Sequence, residues 1–408
     1  MKGFLKWGAI IVGCLVVVII AALVLIPMFV DVAKYKPILE SKVTEATGRP
    51  FSVGDDLSLS LFPWAGVSFS NLRLGNPPGF TEKDFVKVKS FEVRVKLLPL
   101  LSKDIQIKRF VLNEPQIVLV KNKKGLENWV QPKPAGKDAA EEKAPSTESV
   151  PGGLGIPISA LTAENIAINN GSALWIDHTT DTRKEITDIG LILKDVSLNR
   201  PVKLTFSAQL DQKPLSLEGT VGPVGTGLKE GKIALDLSIK ALKQLVLRLK
   251  GNLENLITNP GVDMDIEVAE FSPRMLMSEL GQEFPVATTD PEAISRLALK
   301  AHIKADAKKV SLTNGNMELD QSKLKLSAAA TEYSRPNLKF DLDLDQIDLD
   351  RYMPPKSEEP AQAKTSASAE PAKKKTDYAP LRRLILDGSI KIAKLTVTKA
   401  KIEDAVLQ

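Results

Sequence analysis

Apolar and polar residues alternate along most of the chain with the two-residue period of a β-strand rather than the period of a helix. Between Ser90 and Val120, the apolar residues Phe91, Val93 and Val95 alternate with Glu, Arg and Lys. Similar runs recur almost to the carboxy terminus, and helical patterns are few. The pattern therefore predicts a mainly β protein.

A strand pattern of this kind gives a sheet with one apolar face, and that face has to be covered. A second sheet, a layer of helices or a ligand can cover it. Because the sequence predicts few helices, a second sheet and a ligand remain as alternatives. A closed sandwich or barrel and an open sheet are equally compatible with the periodicity.

The first apolar segment has a different character. Gly8 to Ile26 is 19 residues without a charge, and a helix of that length spans about 28 Å, close to the thickness of one hydrocarbon core. A cleaved signal peptide would be shorter, and a lipoprotein signal ending at Cys14 would turn polar after the cysteine. A retained membrane anchor fits best, with a short amino-terminal tail and the rest of the chain exported. Its representative residues are Gly8, Ile11, Val16, Ile20, Leu23 and Ile26.

Composition shifts divide the chain into six regions. Residues 1–30 form the anchor, and 31–130 form a short helix followed by strands. Residues 131–155 and 354–378 are poor in large apolar residues and predict disordered linkers. Residues 156–353 predict a β-rich region with two short helices, which begin after Ser272 and Asp290. Residues 379–408 begin a further β region whose pattern is still running at Gln408, so we expect it to be truncated.

Composition argues against several classes of function. The net charge is +5, but basic and acidic residues are interleaved and aromatic residues make up 5%, so no nucleic-acid partner is expected. One cysteine and two histidines, His178 and His302, offer no basis for a disulfide or a zinc site. Asp341, Asp343 and Asp345 loosely resemble a calcium loop, but the intervening leucines indicate a strand with one wet face. We expect no cofactor and no enzyme activity.

Four motifs in a fixed order resemble the AsmA family of bacterial envelope proteins. "YKPILESKVTEATGRPFSV" (Tyr35–Val53) is similar to the start of the family after its anchor. A central block resembles the family through Pro99, Leu100, Leu101, Pro115, Gly125, Asn128 and Trp129. "FSPRMLMSELG" with "DPEA" resembles its central helices. "IDLDRYMPP" followed by a low-complexity spacer and "APLRRLILDGSIKIAKLTV" resembles its carboxy-terminal half.

The resemblance implies a fold: an N-terminal transmembrane helix, then an elongated, curled, antiparallel-rich β-sheet that forms an open groove, with a few short helices. The family is related to bridge-like lipid transfer proteins, whose groove shelters lipid tails. On that basis the expected groove-lining residues are Phe91, Val93, Val95, Ile105, Ile107, Leu342, Leu344, Ile347 and Leu349.

The resemblance also implies a location and a function. We expect a single-pass protein of the bacterial inner membrane with its bulk in the periplasm, acting in outer-membrane biogenesis. It would bind or conduct acyl chains of phospholipid or another lipid along the groove. A protein partner in the periplasm or outer membrane is expected at the carboxy-terminal end. The alternative is a structural assembly factor for outer-membrane proteins or lipopolysaccharide that carries no lipid.

Overall fold

The computed structural model describes residues 32–102, 104–130, 162–225, 231–332, 337–355 and 385–408. The predicted anchor and nearly all of the two predicted linkers lie outside these residues. None of the helices in the described part of the chain is both long and apolar enough to cross a bilayer.

The chain folds as two compact units, Met1–Gly225 and Thr226–Gln408, called unit 1 and unit 2 below. The boundary between them falls inside the β-rich region that the sequence predicts over residues 156–353. Within the described residues, each unit is a sheet of nine strands with a few short helices. The prediction of a mainly β, antiparallel-rich protein with few helices is confirmed.

Unit 1 opens with a 3-10 turn, Val32–Tyr35, and helix α1, Lys36–Thr47. Its strands are β1 (Phe51–Ser52), β2 (Ser58–Ser60), β3 (Trp64–Gly75), β4 (Asp84–Lys96), β5 (Gln106–Lys121), β6 (Thr162–Asp177), β7 (Thr182–Val196), β8 (Val202–Leu210) and β9 (Lys213–Val221). A short helix, α2 (Leu97–Leu101), joins β4 to β5. Strands β3 to β9 pair in chain order, and both β1 and β2 pair with β3.

Unit 2 contains β10 (Lys232–Ala241), β11 (Leu245–Glu254), β12 (Gly261–Phe271), β13 (Leu297–Ala305), β14 (Lys309–Leu319), β15 (Ser322–Thr331), β16 (Asn337–Asp348), β17 (Ile385–Val397) and β18 (Ala400–Leu407). Helix α3 (Pro273–Glu279) follows β12, and the single turn α4 (Leu349–Tyr352) follows β16. The nine strands pair in chain order.

Each unit has one parallel pairing among antiparallel ones. In unit 1 it joins β5 to β6, and in unit 2 it joins β16 to β17. Parallel neighbours need a long connection, because the chain has to return to the same end of the sheet before the next strand begins. The two predicted linkers, residues 131–155 and 354–378, lie between the strands of these two parallel pairs. The need for a long connection accounts for their positions in the chain.

Local sequence explains the ends of the longer helices. Helix α1 has Pro37 in its first turn and ends at Gly48, whose φ of 66° lets its N–H reach Thr44 O at 2.8 Å. The side chain of Ser272 accepts a hydrogen bond from Met275 N at the start of α3. These caps agree with the sequence prediction.

The second predicted helix, after Asp290, is wrong: residues 291–294 form a turn. The N–H groups of Ile294 and Ser295 donate to the carboxylate of Asp320 at 2.8 and 2.9 Å. This carboxylate takes the place of the carbonyl partners that a helix would supply, and the chain passes directly into β13.

Four strands of unit 1 contain a left-handed residue at the same level of the sheet. These residues are Asn71 in β3, Glu114 in β5, Asn170 in β6 and Asp188 in β7, with φ between 48° and 52°. Across Asn71, Glu114 and Asn170, the β3–β4, β4–β5 and β5–β6 pairings keep the same register. The β6–β7 pairing shifts its register between Ile168 and Gly171. We refer to these four residues as the left-handed row.

Candidate functional site

The most continuous feature of unit 1 is a row of seven apolar side chains that crosses the sheet from β3 to β9. Residues directly opposite each other on paired strands share a face of the sheet. Each member of the row is the register partner of the next: Phe69, Phe91, Leu112, Ile168, Leu191, Phe206 and Leu217. Six steps between strands at about 4.8 Å give a row about 29 Å long.

A second apolar row lies beside the first on the same face. It consists of Val67, Val93, Phe110, Ile166, Leu193 and Leu204, again in direct register. The rings of Phe69 and Phe91 stack with centroids 4.9 Å apart, and Phe110 meets Phe91 edge-on at 5.3 Å. The two rows and this aromatic contact form the apolar face of unit 1.

The left-handed row keeps this face apolar across a change in the alternation. Ideal alternation would place Ile168 and residue 171 on opposite faces, since they are three positions apart. A Cβ built on Gly171 would lie 3.3 Å from Ile168 Cγ2 and 3.2 Å from Pro115 Cγ. Position 171 therefore shares the apolar face with Ile168. The strand continues in the same direction, but the left-handed residue Asn170 changes which face the following side chains occupy.

Unit 2 carries a longer row of the same kind, which crosses all nine strands. Its members, in register from β10 to β18, are Ile239, Leu247, Val268, Leu299, Met317, Leu324, Leu344, Ile392 and Ala405. Eight steps between strands correspond to about 38 Å. This row defines the apolar face of unit 2.

The apolar faces are incompletely covered by protein. In the rows named above, Phe69 is the one side chain that reaches the buried class, and the others retain part of their solvent exposure. Within each unit, the described strands pack on the strands to which they hydrogen-bond, and no second sheet or long helix lies over them. Each described sheet is therefore a single layer with accessible aliphatic side chains.

The opposite face of unit 2 is charged, and residues of opposite charge face each other across four of its strand pairs. One register row contains Arg248, Glu267, Lys300, Asn316, Lys325, Asp343 and Lys391. Glu267 accepts ion pairs from Arg248 at 3.4 Å and Lys300 at 3.1 Å. Opposite charges on facing positions stabilise the pairing, whereas like charges would weaken it.

The acidic residues that loosely resemble a calcium loop belong to this charged face. Asp343 lies between Lys325 and Lys391 in the register, so basic neighbours flank it on both sides. His302 contacts Asp263 at 3.2 Å and Asp265 at 2.9 Å. Among the residues that the structure places, no group of histidine, cysteine and acidic side chains is arranged to hold a metal ion.

The polar face of unit 1 has a small basic cluster near the end of β4. Glu164 accepts hydrogen bonds from Lys108 and from Lys96, the latter at 2.6 Å. The hydrogen bond from Lys108, followed by that from Lys96, lowers the pKa of the Glu164 carboxyl. Glu92 pairs with Arg94 and, at 3.5 Å, with Arg109.

The structure places the predicted groove-lining residues at several kinds of position. Phe91 and Val93 lie in the two rows of unit 1, and Val95 pairs with Ile107 on the adjacent strand. Ile105 precedes β5 by one residue. Leu344 lies in the nine-strand row of unit 2, and Leu342 pairs with Leu326 and Ile390 beside it.

The last two predicted lining residues lie where regular alternation ends. Asp345 accepts a hydrogen bond from Lys323 N, and the paired register of β16 with β17 skips this position. Ile347, beyond it, pairs with Leu395 and lines a cavity of about 390 Å³ that it shares with Tyr352. Leu349 does not belong to a strand, because it starts the helical turn α4. The predicted anchor residues Gly8 to Ile26 lie outside the described structure.

The predicted groove-lining residues include few members of the apolar rows in the two units. The sequence does indicate which face of its own strand each further row member occupies, because all of them lie in alternating segments: Leu112, Ile168, Leu191, Phe206 and Leu217. Their common membership of one row depends on the register of six strand pairs, which periodicity does not specify.

Comparison with known proteins places these features in a family context. Residues 1–221, more than half of the chain, match the model of the AsmA family. The AsmA family protein YhjG of Escherichia coli (strain K12) is 29% identical over 136 residues, which is 30% of this chain and 20% of that relative. The alignment thus spans about a fifth of the curated relative. No solved structure matches the chain.

Proposed function

The chain belongs to the AsmA family, whose members are associated with biogenesis of the cell envelope, and from this premise we propose that it holds lipid acyl chains on the apolar faces of its two sheets. We further propose that residues 8–26 anchor it in the bacterial inner membrane, with the bulk of the chain in the periplasm.

The nine-strand row of unit 2 is the observation that carries this proposal. It joins aliphatic side chains from Ile239 to Ala405 without an intervening charge. One leaflet of a bilayer has a hydrocarbon thickness of about 15 Å. A row of about 38 Å is long enough to accompany an acyl chain over its whole length.

The energetics of lipid binding require such continuity. Each CH₂ group moved out of water contributes about 0.8 kcal/mol, so a sixteen-carbon tail contributes about 12 kcal/mol. A lipid leaves a bilayer only if the protein surface returns most of this free energy along the tail. A single row that is apolar on every strand meets that requirement, whereas an inward charge would interrupt it.

The charged faces support the same arrangement. The sheet of unit 2 keeps one surface in water through cross-strand ion pairs such as Lys300 with Glu267. The other surface is aliphatic and only partly covered by its own side chains. A surface of this kind exposed to water is unfavourable, and acyl chains are a ligand that would cover it.

Site-specific photo-crosslinking tests the proposal directly. A photoreactive amino acid at Val93 or Leu344 should label lipid in cells, because both lie in apolar rows. The same group at Thr205 or Asp343, on the opposite faces of the two sheets, should label lipid much less, since both side chains are exposed on polar faces. Mass spectrometry of the adducts identifies the lipid class.

The negative outcome is equally informative. Equal labelling at Val93 and Thr205 would show that labelling reflects nearness to a membrane rather than a lipid-binding face. Adducts to protein at Val93 and Leu344, with no lipid on the purified protein, would contradict lipid binding and favour the structural assembly factor.

A further inference from the structure

The connection between β4 and β5 exposes apolar side chains to an unusual degree. Leu98 in α2 is 79% exposed, Leu100 is 39% exposed, and Phe62, two residues before β3, is also 39% exposed. We call these three side chains the leucine tip. Pro99 O accepts hydrogen bonds at 3.0 Å from the N–H groups of Ser102 and Asp104, which close the turn after α2.

Basic side chains border this tip on the strands that lead into and out of it. Arg94 and Lys96 end β4, and Lys108 and Arg109 begin β5. They share two carboxylates, since Glu92 contacts Arg94 and Arg109 and Glu164 contacts Lys96 and Lys108. Lys194 lines the same cavity as this cluster, and Asp104 lies in the turn of the tip. With these two residues included, five positive charges against three negative charges leave a local excess of two.

An aromatic side chain lies within the basic cluster, at the end nearest the tip. Trp64 is the register partner of Lys96, the residue just before α2. Lys108 Nζ lies 5.2 Å from the centroid of the Trp64 ring. Trp64, Arg94, Lys108 and Arg109 line one cavity of about 410 Å³.

We propose that the leucine tip inserts into the surface of the inner-membrane leaflet next to the anchor, with the basic cluster on anionic phospholipid headgroups. The end of this connection carries apolar side chains, and a tryptophan and cations follow behind them. They match the hydrocarbon, the interface and the phosphates that a bilayer surface presents from the inside outward. The excess positive charge complements an anionic surface and would oppose burial of this tip against a basic protein.

The position of the tip in the chain agrees with this contact. This inference rests on the anchor proposed above for residues 8–26, which would place Val32, the first described residue, six positions beyond the membrane segment. The contact is with the membrane surface and does not require that either sheet carries lipid. Its failure and the failure of acyl-chain binding are therefore separate results.

Fluorescence quenching in proteoliposomes tests the contact with the full-length chain. Cys14 is replaced by serine, and a single cysteine at Leu98 carries an environment-sensitive dye. Leu126→Cys is the matched control, because Leu126 is 59% exposed and lies in the loop beyond the other end of β5. The vesicles contain phosphatidylcholine and phosphatidylglycerol, with a lipid quencher placed just below the headgroups.

The dye at position 98 should shift to the blue and lose most of its fluorescence to the lipid quencher, whereas the dye at position 126 should respond mainly to a water-soluble quencher. Replacing Lys96 and Lys108 by glutamine should reduce lipid quenching at position 98, as should added salt or omission of phosphatidylglycerol. Circular dichroism of the double variant confirms that the sheet is retained.

Two results would overturn the proposal. A dye at position 98 that remains accessible to the water-soluble quencher in these vesicles would leave a protein as the partner of the tip. Equal lipid quenching at positions 98 and 126 would show general proximity of unit 1 to the bilayer rather than insertion of this tip.

Discussion

Asn128 Nδ2 donates a 2.8 Å hydrogen bond to Asn76 Oδ1, and this contact joins the loop after β5 to the loop between β3 and β4. The same amide group donates to Val118 O at 2.7 Å, and its oxygen accepts from Val120 N at 2.8 Å. Asn128 is fully buried. Arg49 Nη2 donates to Asn128 O at 2.6 Å, so the residue also holds the segment that follows α1.

Replacing Asn128 by alanine should lower the free energy of unfolding by about 3 kcal/mol, because the change removes three hydrogen bonds and leaves buried polar groups unpaired. Urea denaturation followed by circular dichroism measures the loss. Asn199→Ala, at an exposed position, should change stability by less than about 0.5 kcal/mol. Equal effects of the two variants would contradict the role assigned to Asn128.

Because Asn170 in the left-handed row has a φ of 52°, substitutions at this position should rank differently in stability from those at an ordinary strand position. Asn170→Gly should be nearly neutral, whereas Asn170→Val should cost roughly 1–2 kcal/mol, because a β-branched residue is strained in that conformation. At Gln116, an exposed strand position on the neighbouring strand, valine should instead be better tolerated than glycine. The same order at both positions would refute a left-handed conformation at residue 170.

Tyr352 predicts a loss of stability at high pH. Burial, together with the hydrogen bond that its hydroxyl donates to Asp320 Oδ2 at 2.9 Å, raises the pKa of Tyr352 to about 12. The folded state therefore favours the neutral phenol, and its contribution is complete below the ordinary tyrosine pKa of 10.0. This contribution should disappear as the pH rises from 10 to about 12.

The measurement is the urea midpoint of wild type and Tyr352→Phe at neutral pH and at about pH 11. The wild type should lose more stability than the variant over this interval. Tyr35→Phe is the control, because Tyr35 is 58% exposed, and it should follow the wild type. A Tyr352→Phe variant as sensitive to pH as wild type would show that this phenol does not contribute.

The two faces of β8 predict opposite results for neighbouring lysine substitutions. Leu204 lies in an apolar row, whereas Thr205 is exposed on the other face. Leu204→Lys should reduce the lipid that co-purifies with the protein, because it places a charge in the path of an acyl chain. Thr205→Lys should leave the bound lipid unchanged. Lipid phosphorus per protein measures both, and equal losses would argue against a one-sided site.

The sequence was informative about strands because each strand has one wet face. Alternation at Phe91, Val93 and Val95 reports a local property, namely which side chains share a face. Pro37 and Gly48 likewise mark the helix α1 through their own backbone preferences. These features were predictable because they depend on residues a few positions apart.

Features set by distant partners were not predictable. The turn after Asp290 depends on the carboxylate of Asp320, thirty positions away, which binds the backbone at Ile294 and Ser295. The alternation beyond Asn170 changes phase because of a left-handed residue that Asn tolerates but does not require. The separation into two units at Gly225 falls in a glycine-rich stretch, residues 222–231, whose composition indicates a turn between strands but not a boundary between units.

The opposite charges that face each other on the charged face of unit 2 have a consequence for how this protein can evolve. Some wrong pairings would set lysine against lysine, as with Lys300 and Lys391, or aspartate against glutamate, so the solvated residues disfavour part of the alternative strand orders. The aliphatic surface is then free to exchange valine, isoleucine and leucine among lineages. Relatives could then differ at most positions of the apolar face and still form a sheet with the same strand order.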